Sequence, residues 1–180
     1  SKEDKENVLE KACQIKDSLS NNDIRVHLDD REQLTPGFKF NDWEMKGIPI
    51  RIEIGPKDIA KNQIVLARRH NQTKISLDID GLTEKTLSEL KNIQMEMFDA
   101  AKKILDERVV RVSEYQQFKK ELENGKMIDC SWCGNQTCED KIKEETGADL
   151  RVIPSDNTKS ETCIYCKNSG TTNALFARGY

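Results

Sequence analysis

Along the first twenty residues Val8, Ala12, Ile15 and Leu19 recur three to four positions apart, so residues 3–20 read as a helix that Asn21-Asn22 ends. The period then drops to two. Ile24, Val26 and Leu28 alternate with polar residues and predict a short strand, followed by an Asp29-Asp30-Arg31 loop and a Thr35-Pro36-Gly37 turn. Residues 38–45 predict a short helix stopped by Gly47. Ile48, Ile50, Ile52 and Ile54 then lie on one face while Arg51 and Glu53 lie on the other, the clearest strand in the chain. Gly55-Pro56-Lys57-Asp58 turns the backbone, and residues 63–69 and 74–79 read as a hairpin around Asn71-Gln72. Thr83 can cap a long helix. Leu87, Leu90, Met97, Ala101 and Ile104, with Ile93, Phe98 and Leu105 beside them, give that helix a wide apolar face. The sum is an α/β domain over residues 1–110, a sheet flanked by helices.

Residues 109–113 are the expected junction with a second module over residues 111–180. Tyr115, Phe118 and Leu122 predict a helix closed near Gly125, and residues 139–146 predict another stopped by Gly147. Residues 154–160 are polar and loop-like, whereas the tail Ala174-Leu175-Phe176 is apolar enough to pack.

Composition narrows the classes. Hydrophobic residues are 36% of 180 and charged residues 34%, with a mean hydropathy of −0.75, which suits small cores under a large wet surface. No apolar run approaches the roughly 18 residues of a membrane span, and the first residues lack a signal-peptide core. The chain begins with Ser1 in place of an initiator Met, so a piece of a longer protein is expected. The formal charge is −3, but its distribution is uneven. Residues 33–74 carry Lys39, Lys46, Arg51, Lys57, Lys61, Arg68, Arg69 and Lys74 against four carboxylates, a local basic stripe suited to phosphates or to a merely solvated face.

Five of the six cysteines lie between 130 and 166. Their clustering favours zinc over disulfides, since nothing marks the chain as secreted and reducing compartments keep thiols free. Four thiolates would close a structural tetrahedral site. Cys133-x4-Cys138 and Cys163-x2-Cys166 form two half-sites, but Cys130-x2-Cys133 is a closer pair and spacing alone makes 130/133/163/166 the better zinc-ribbon pattern, so five sulfurs compete for four places. Cys13 reads as a small hydrophobe on a helix. There is no phosphate-binding loop or dinucleotide fingerprint, and neither His27 nor His70 has the context of a hydrolytic centre.

The run GFKFNDWEMKGIPIRIEIGPKD over residues 37–58, preceded by Asp29-Asp30-Arg31 and followed by Leu66-Ala67-Arg68-Arg69, resembles the anticodon-binding domain of the archaeal and eukaryote-like prolyl-tRNA synthetases. Cys133-Gly134, Cys138-Glu139-Asp140, Cys163-x2-Cys166 and a terminal Tyr are similar to that family's C-terminal zinc domain, so the resemblance spans essentially the whole chain. It implies a class II synthetase anticodon-binding domain, with a mixed sheet flanked by helices, followed by a small α/β zinc-stabilised domain. It also implies proline–tRNA ligation in the complete enzyme, with ATP and magnesium confined to an N-terminal catalytic domain absent from these residues. Glu44, Arg51 and Lys57 fall where the family contacts anticodon bases. Phe40 and Trp43 lie in the segment suited to base stacking or to anchoring the helix, and Lys39, Lys46, Arg68 and Arg69 are phosphate candidates. The resemblance assigns zinc to Cys133, Cys138, Cys163 and Cys166, leaving Cys130 spare, and directs the Tyr180 carboxylate toward the catalytic domain's active site. Implied partners are proline tRNA and the enzyme's own catalytic domain, with a dimer for the full enzyme, a monomer for this part, and a cytoplasmic location. The alternatives are a free-standing RNA-binding or regulatory module without ligase activity, and a zinc-built protein-interaction module.

Overall fold

The computed structural model describes residues 2–155 and 161–179. They form two compact units, Ser1–Asp99 and Ala100–Tyr180, the division falling inside one helix.

In the first unit, α1 (Lys2–Ser20) buries Ile15 and Leu19. α2 (Pro36–Met45) starts where Thr35 accepts a hydrogen bond from the Phe38 amide and Pro36 presets the first helical φ; Gly47, at φ +81°, follows its end. β1 (Ile50–Glu53), β2 (Gln63–Arg68) and β3 (Lys74–Asp78) form an antiparallel sheet in that order, with the short helix α3 (Pro56–Ile59) between the first two. Ile64 and Leu66 are fully buried, and Ile50, Ile52, Ile75 and Leu77 pack against the same core. The 27-residue helix α4 (Leu82–Arg108) follows.

Two expectations are corrected here. Residues 24–28 belong to no sheet among the described residues, although Ile24 and Val26 still pack on the core. Alternation marks a half-buried extended segment, and a strand also needs an edge to pair with. The wide apolar face of α4 is largely uncovered: Leu82, Thr86 and Ile93 are buried, while Leu87, Met97, Phe98, Ile104 and Leu105 are exposed. A helix of that length runs to about 40 Å, twice the span of the four- to six-residue strands beside its first turns. The helix also begins at Leu82, so Thr83 sits in its first turn, where its hydroxyl meets that of Ser18 at 3.3 Å.

In the second unit, β4 (Val109–Arg111), β5 (Met127–Trp132), β6 (Ala148–Val152) and β7 (Thr172–Arg178) form a mixed sheet of order β4-β5-β7-β6, parallel at β4–β5 and antiparallel elsewhere. β4 starts at Val109, within the segment read as a junction. α5 (Tyr115–Glu123) and α6 (Gln136–Thr146) cover the sheet. Phe118, Phe176, Ile128, Ile142 and Ile164 are sealed in one core. The apolar tail thus packs as the strand β7, paired on both sides. Tyr180 lies outside the described residues.

Candidate nucleic-acid interface and metal centre

Helical spacing divides α2 into two working faces. Phe40 and Glu44, four apart, meet β1; Lys39 and Trp43 meet the loop before the helix, and Lys46 folds back on Asp42 and Trp43 of the helix itself. On β1, Arg51 and Glu53 share the face opposite Ile50 and Ile52. Arg51 Nη1 donates to Glu44 Oε1 at 2.7 Å, and its Nε donates to Glu53 Oε1 at 3.0 Å. Its guanidinium carbon lies 4.0 Å from the centre of the Phe40 ring. Lys74 closes the group, 2.9 Å from Glu53 Oε1. Register explains the row: Arg51 pairs with Ala67, and Ala67 with Lys74, so two cations flank one small residue. Phe40 therefore carries Arg51 on its face, and the Arg51 side chain keeps 18% exposure.

The loop side is built on Asp29. Its carboxylate accepts from Arg31 Nε at 2.8 Å, Arg31 Nη2 at 2.7 Å and Trp43 Nε1 at 2.8 Å, while its carbonyl accepts from Lys39 Nζ at 3.1 Å. Arg31 also reaches Asp42 at 2.9 Å, and Lys46 Nζ sits 4.2 Å over the Trp43 ring. Trp43 thus pins α2, and Lys39 and Lys46 are partly engaged. Sequence reading missed this hub, because Asp29 and its partner Trp43 are separated by 14 residues in different elements.

The hydrogen bonds from Arg31, and then that from Trp43, hold the Asp29 carboxyl well below the ordinary carboxylate range. A carboxyl depressed in the folded state stabilises the fold above its unfolded pKa of about 3.9, and that stabilisation is lost as pH falls through the folded value. Asp29→Asn is expected to cost on the order of 2 kcal/mol near neutrality. In urea melts the variant and parent should differ fully at pH 7 and converge progressively below about pH 4. A gap that persists undiminished far into acid would contradict the assignment.

Lys57, on α3, is exposed and has no ion-pair partner among the described residues. Arg68 is different: its guanidinium binds Glu89 and Glu96 of α4, the latter at 3.0 Å, and its side chain is 16% exposed. His70 Nε2 lies 2.6 Å from the same Glu96, whose carboxyl this hydrogen bond holds low. Arg69 lines a crevice with Trp43, Glu44, Ile48, Arg51 and Ala67.

In the second unit the chain leaves β5 at Cys133, turns at Gly134 with φ +78°, and enters α6, capped by Asn135 through the Thr137 amide at 2.8 Å. Cys138 lies in the first turn of that helix. The other half-site is a turn bridged by Thr162 and Ser169, in which the Cys163 amide donates to Asn168 O at 2.7 Å. Ile164 N donates to Ser131 O at 2.8 Å, tying this turn to β5. The sulfurs of Cys133, Cys138, Cys163 and Cys166 all lie within 4.8 Å of one another. Cys133 Sγ is 3.6 Å from Cys138 Sγ and 3.9 Å from Cys166 Sγ. A tetrahedron with zinc–sulfur bonds of about 2.3 Å has sulfur edges of about 3.8 Å, so the set fits zinc. The same separations are far too long for disulfides, and all six cysteines are free.

Burial pushes the Cys138 thiol up to about 12, and the backbone N–H of Asn168 draws Cys166 down to about 7. Cys130 lies apart, inside β5 opposite Ala174, fully buried, its thiol pushed up to about 12 by burial. Tyr165, between the two ligands of the second turn, donates to Glu145 at 2.8 Å, and Tyr115 and Lys119 meet the same carboxylate at 3.2 and 2.7 Å. Glu145 was also beyond sequence reading, since its partners come from α5 and from the second cysteine turn, 20 to 30 residues away.

Comparison with known proteins follows the same division. Residues 1–90 match the family model described as anticodon binding domain, and residues 115–180 match the one described as prolyl-tRNA synthetase, C-terminal. A proline–tRNA ligase of Cenarchaeum symbiosum is 46% identical over 157 residues, covering 87% of this chain and 33% of the relative. One of Natranaerobius thermophilus is 43% identical over 182 residues, covering 99% and 38%, and one of Clostridium botulinum is 42% identical over 178, covering 98% and 37%. The chain therefore spans about a third of the length of these curated relatives. Among the described residues no helix is long and apolar enough to cross a membrane. With an anticodon-binding model over its first half and a synthetase C-terminal model over most of the remainder, the chain belongs to the anticodon-binding domain family, and its residues 115–180 match the C-terminal domain of prolyl-tRNA synthetases.

Proposed function

We propose that this chain reads the anticodon of proline tRNA for a proline–tRNA ligase whose ATP- and magnesium-dependent catalytic domain lies outside these residues. The supporting observation is the part-buried Glu44–Arg51 pair, whose side chains keep 30% and 18% exposure. A proline anticodon carries two adjacent guanines. A carboxylate accepts from guanine N1 and N2 donors, and a guanidinium donates to its O6 and N7 acceptors, so the pair offers both halves of a guanine code. Arg51 has five N–H donors and spends at most three on Glu44 and Glu53, leaving one on each terminal nitrogen. Phe40 holds that fork flat, and the free Lys57 supplies a cation on the neighbouring helix. Lys39 and Lys46 serve the phosphates with what their contacts to Asp29 and Asp42 leave free, and Arg68 reaches RNA only through its residual exposure.

In this reading Cys133, Cys138, Cys163 and Cys166 hold a structural zinc, which supplies a cross-link and no chemistry. Free thiols are consistent with a reducing, cytoplasmic setting. The complete enzyme dimerises through the part outside this chain, and this part alone is a monomer.

The test is affinity for proline tRNA and for the same tRNA with both anticodon guanines replaced, at low and moderate salt. Tighter binding of the native anticodon at both salts is expected. Equal binding of the two RNAs would leave a basic surface and would move the reading to a module that does not inspect the anticodon.

A further inference from the structure

Arg68 and Arg69 look interchangeable in sequence, but the strand sends them to opposite faces. Arg68 follows the buried Ile64 and Leu66 to the core side and is taken up by Glu89 and Glu96. Arg69 follows Ala67 to the side that carries Arg51 and Lys74. Its amide donates to Pro49 O at 3.0 Å and its carbonyl accepts from Gln72 Nε2 at 2.8 Å, so its backbone is fixed. Its side chain is not satisfied. Among the described residues no carboxylate or carbonyl engages the guanidinium, and Nε is buried without a partner. A buried donor without an acceptor is costly, and native structures place few of them without a reason.

The crevice it lines indicates which acceptor it awaits. Trp43 and Ile48 give it apolar walls, and Glu44 and Arg51 stand at its side; with about 10 Å³ of free volume it holds no more than a water, so a larger ligand is met at its mouth. Glu44 is already paired with Arg51, so no neighbouring carboxylate of the crevice is left to neutralise Arg69. A phosphate would meet the Glu44 carboxylate. A planar base laid across the mouth, with acceptor and donor atoms on one edge, meets the Arg69 and Arg51 donors and the Glu44 acceptor side by side.

We infer that Arg69 is a specificity-determining residue that donates to a carbonyl or ring-nitrogen acceptor of an anticodon base beside Glu44 and Arg51. The inference rests on the anticodon reading above and adds a third base contact to it.

The experiment uses the 180-residue chain with Arg69→Gln and Arg69→Lys, and proline tRNAs in which each anticodon guanine in turn becomes adenine. Adenine places an N6 donor where guanine has its O6 acceptor. Arg69→Gln is expected to lose about tenfold or more in affinity for the native RNA while binding one of the adenine RNAs as the parent does. Arg69→Lys keeps the charge but loses the planar fork, and should show the same collapse of discrimination. The slope of log affinity against log salt should stay unchanged in the lysine variant, and thermal melts should show both variants folded. A uniform loss for all RNAs with a flatter salt slope in Arg69→Gln would make the contact a phosphate and overturn the inference, as would unchanged discrimination. A parent protein that fails to discriminate would overturn the anticodon reading itself, which is a different result from a discriminating parent with an indifferent Arg69.

Discussion

Replacing Cys138 with serine should release zinc and unfold much of the second unit, whereas replacing Cys130 with serine should keep the metal. The two half-sites come from residues separated by a helix, a strand and a loop, and the second is anchored by Cys163 and Ile164 in the core. Beyond the sulfurs, it is tied back by Ile164 N to Ser131 O, Ser131 Oγ to Glu161 O, and Tyr165 to Glu145. A structural zinc contributes on the order of 10 kcal/mol to folding in isolated zinc-finger peptides, and a unit with its own core depends on it less completely. A loss of several kcal/mol is expected here, or about 15 °C or more in the melting temperature of a domain this size. Cys130→Ser instead buries a hydroxyl next to Ala174 O, at a cost of about 1–3 kcal/mol, with one zinc per chain retained. Metal content and thermal unfolding, with and without a chelator under reducing conditions, separate the two. Zinc lost from Cys130→Ser and kept in Cys138→Ser would return the ligand set to the closer spacing of 130 and 133.

That choice shows where sequence reading stops. Spacing favours Cys130 over Cys138, yet it is Cys138 that joins the sulfur cluster. They differ because a strand with Ala174 as its neighbour holds Cys130 inside the ladder, while a left-handed Gly134 swings the chain back toward the second turn after Cys133. β1, the β2–β3 hairpin and α5 were legible because their periodicity is local. β5 was hidden under the cysteine cluster, and β4 and β6 are short strands whose pairing comes from distant partners. Within the group around Arg51, the family resemblance named Glu44 and Arg51, and strand alternation put Arg51 and Glu53 on one face. The division between Arg68 and Arg69 required knowing that Glu89 and Glu96, 21 and 28 residues downstream of Arg68, line the helix on one side of the sheet. The anchoring of Trp43 required Asp29 in the same way.

Arg51→Ala is expected to abolish most anticodon discrimination, and its companion Arg51→Lys shows why. The alanine variant loses the fork and also leaves Glu44 and Glu53 facing Phe40 without their shared cation, although Lys74 still neutralises Glu53. Both carboxylates are partly solvated, at 30% and 22% exposure, so the stability cost is modest, about 1 kcal/mol. The loss of discrimination against a replaced guanine should be about 1–3 kcal/mol, the scale of one bidentate base contact. Lysine restores a cation between the two carboxylates but has neither a planar fork nor a face to stack on Phe40. It should recover most of the stability and little of the discrimination. Equal weakening of every RNA by Arg51→Ala would reduce Arg51 to a supplier of charge. Full recovery of discrimination by Arg51→Lys would do the same, because a point charge would then suffice where the geometry of Glu44, Phe40 and Arg51 implies a directed fork.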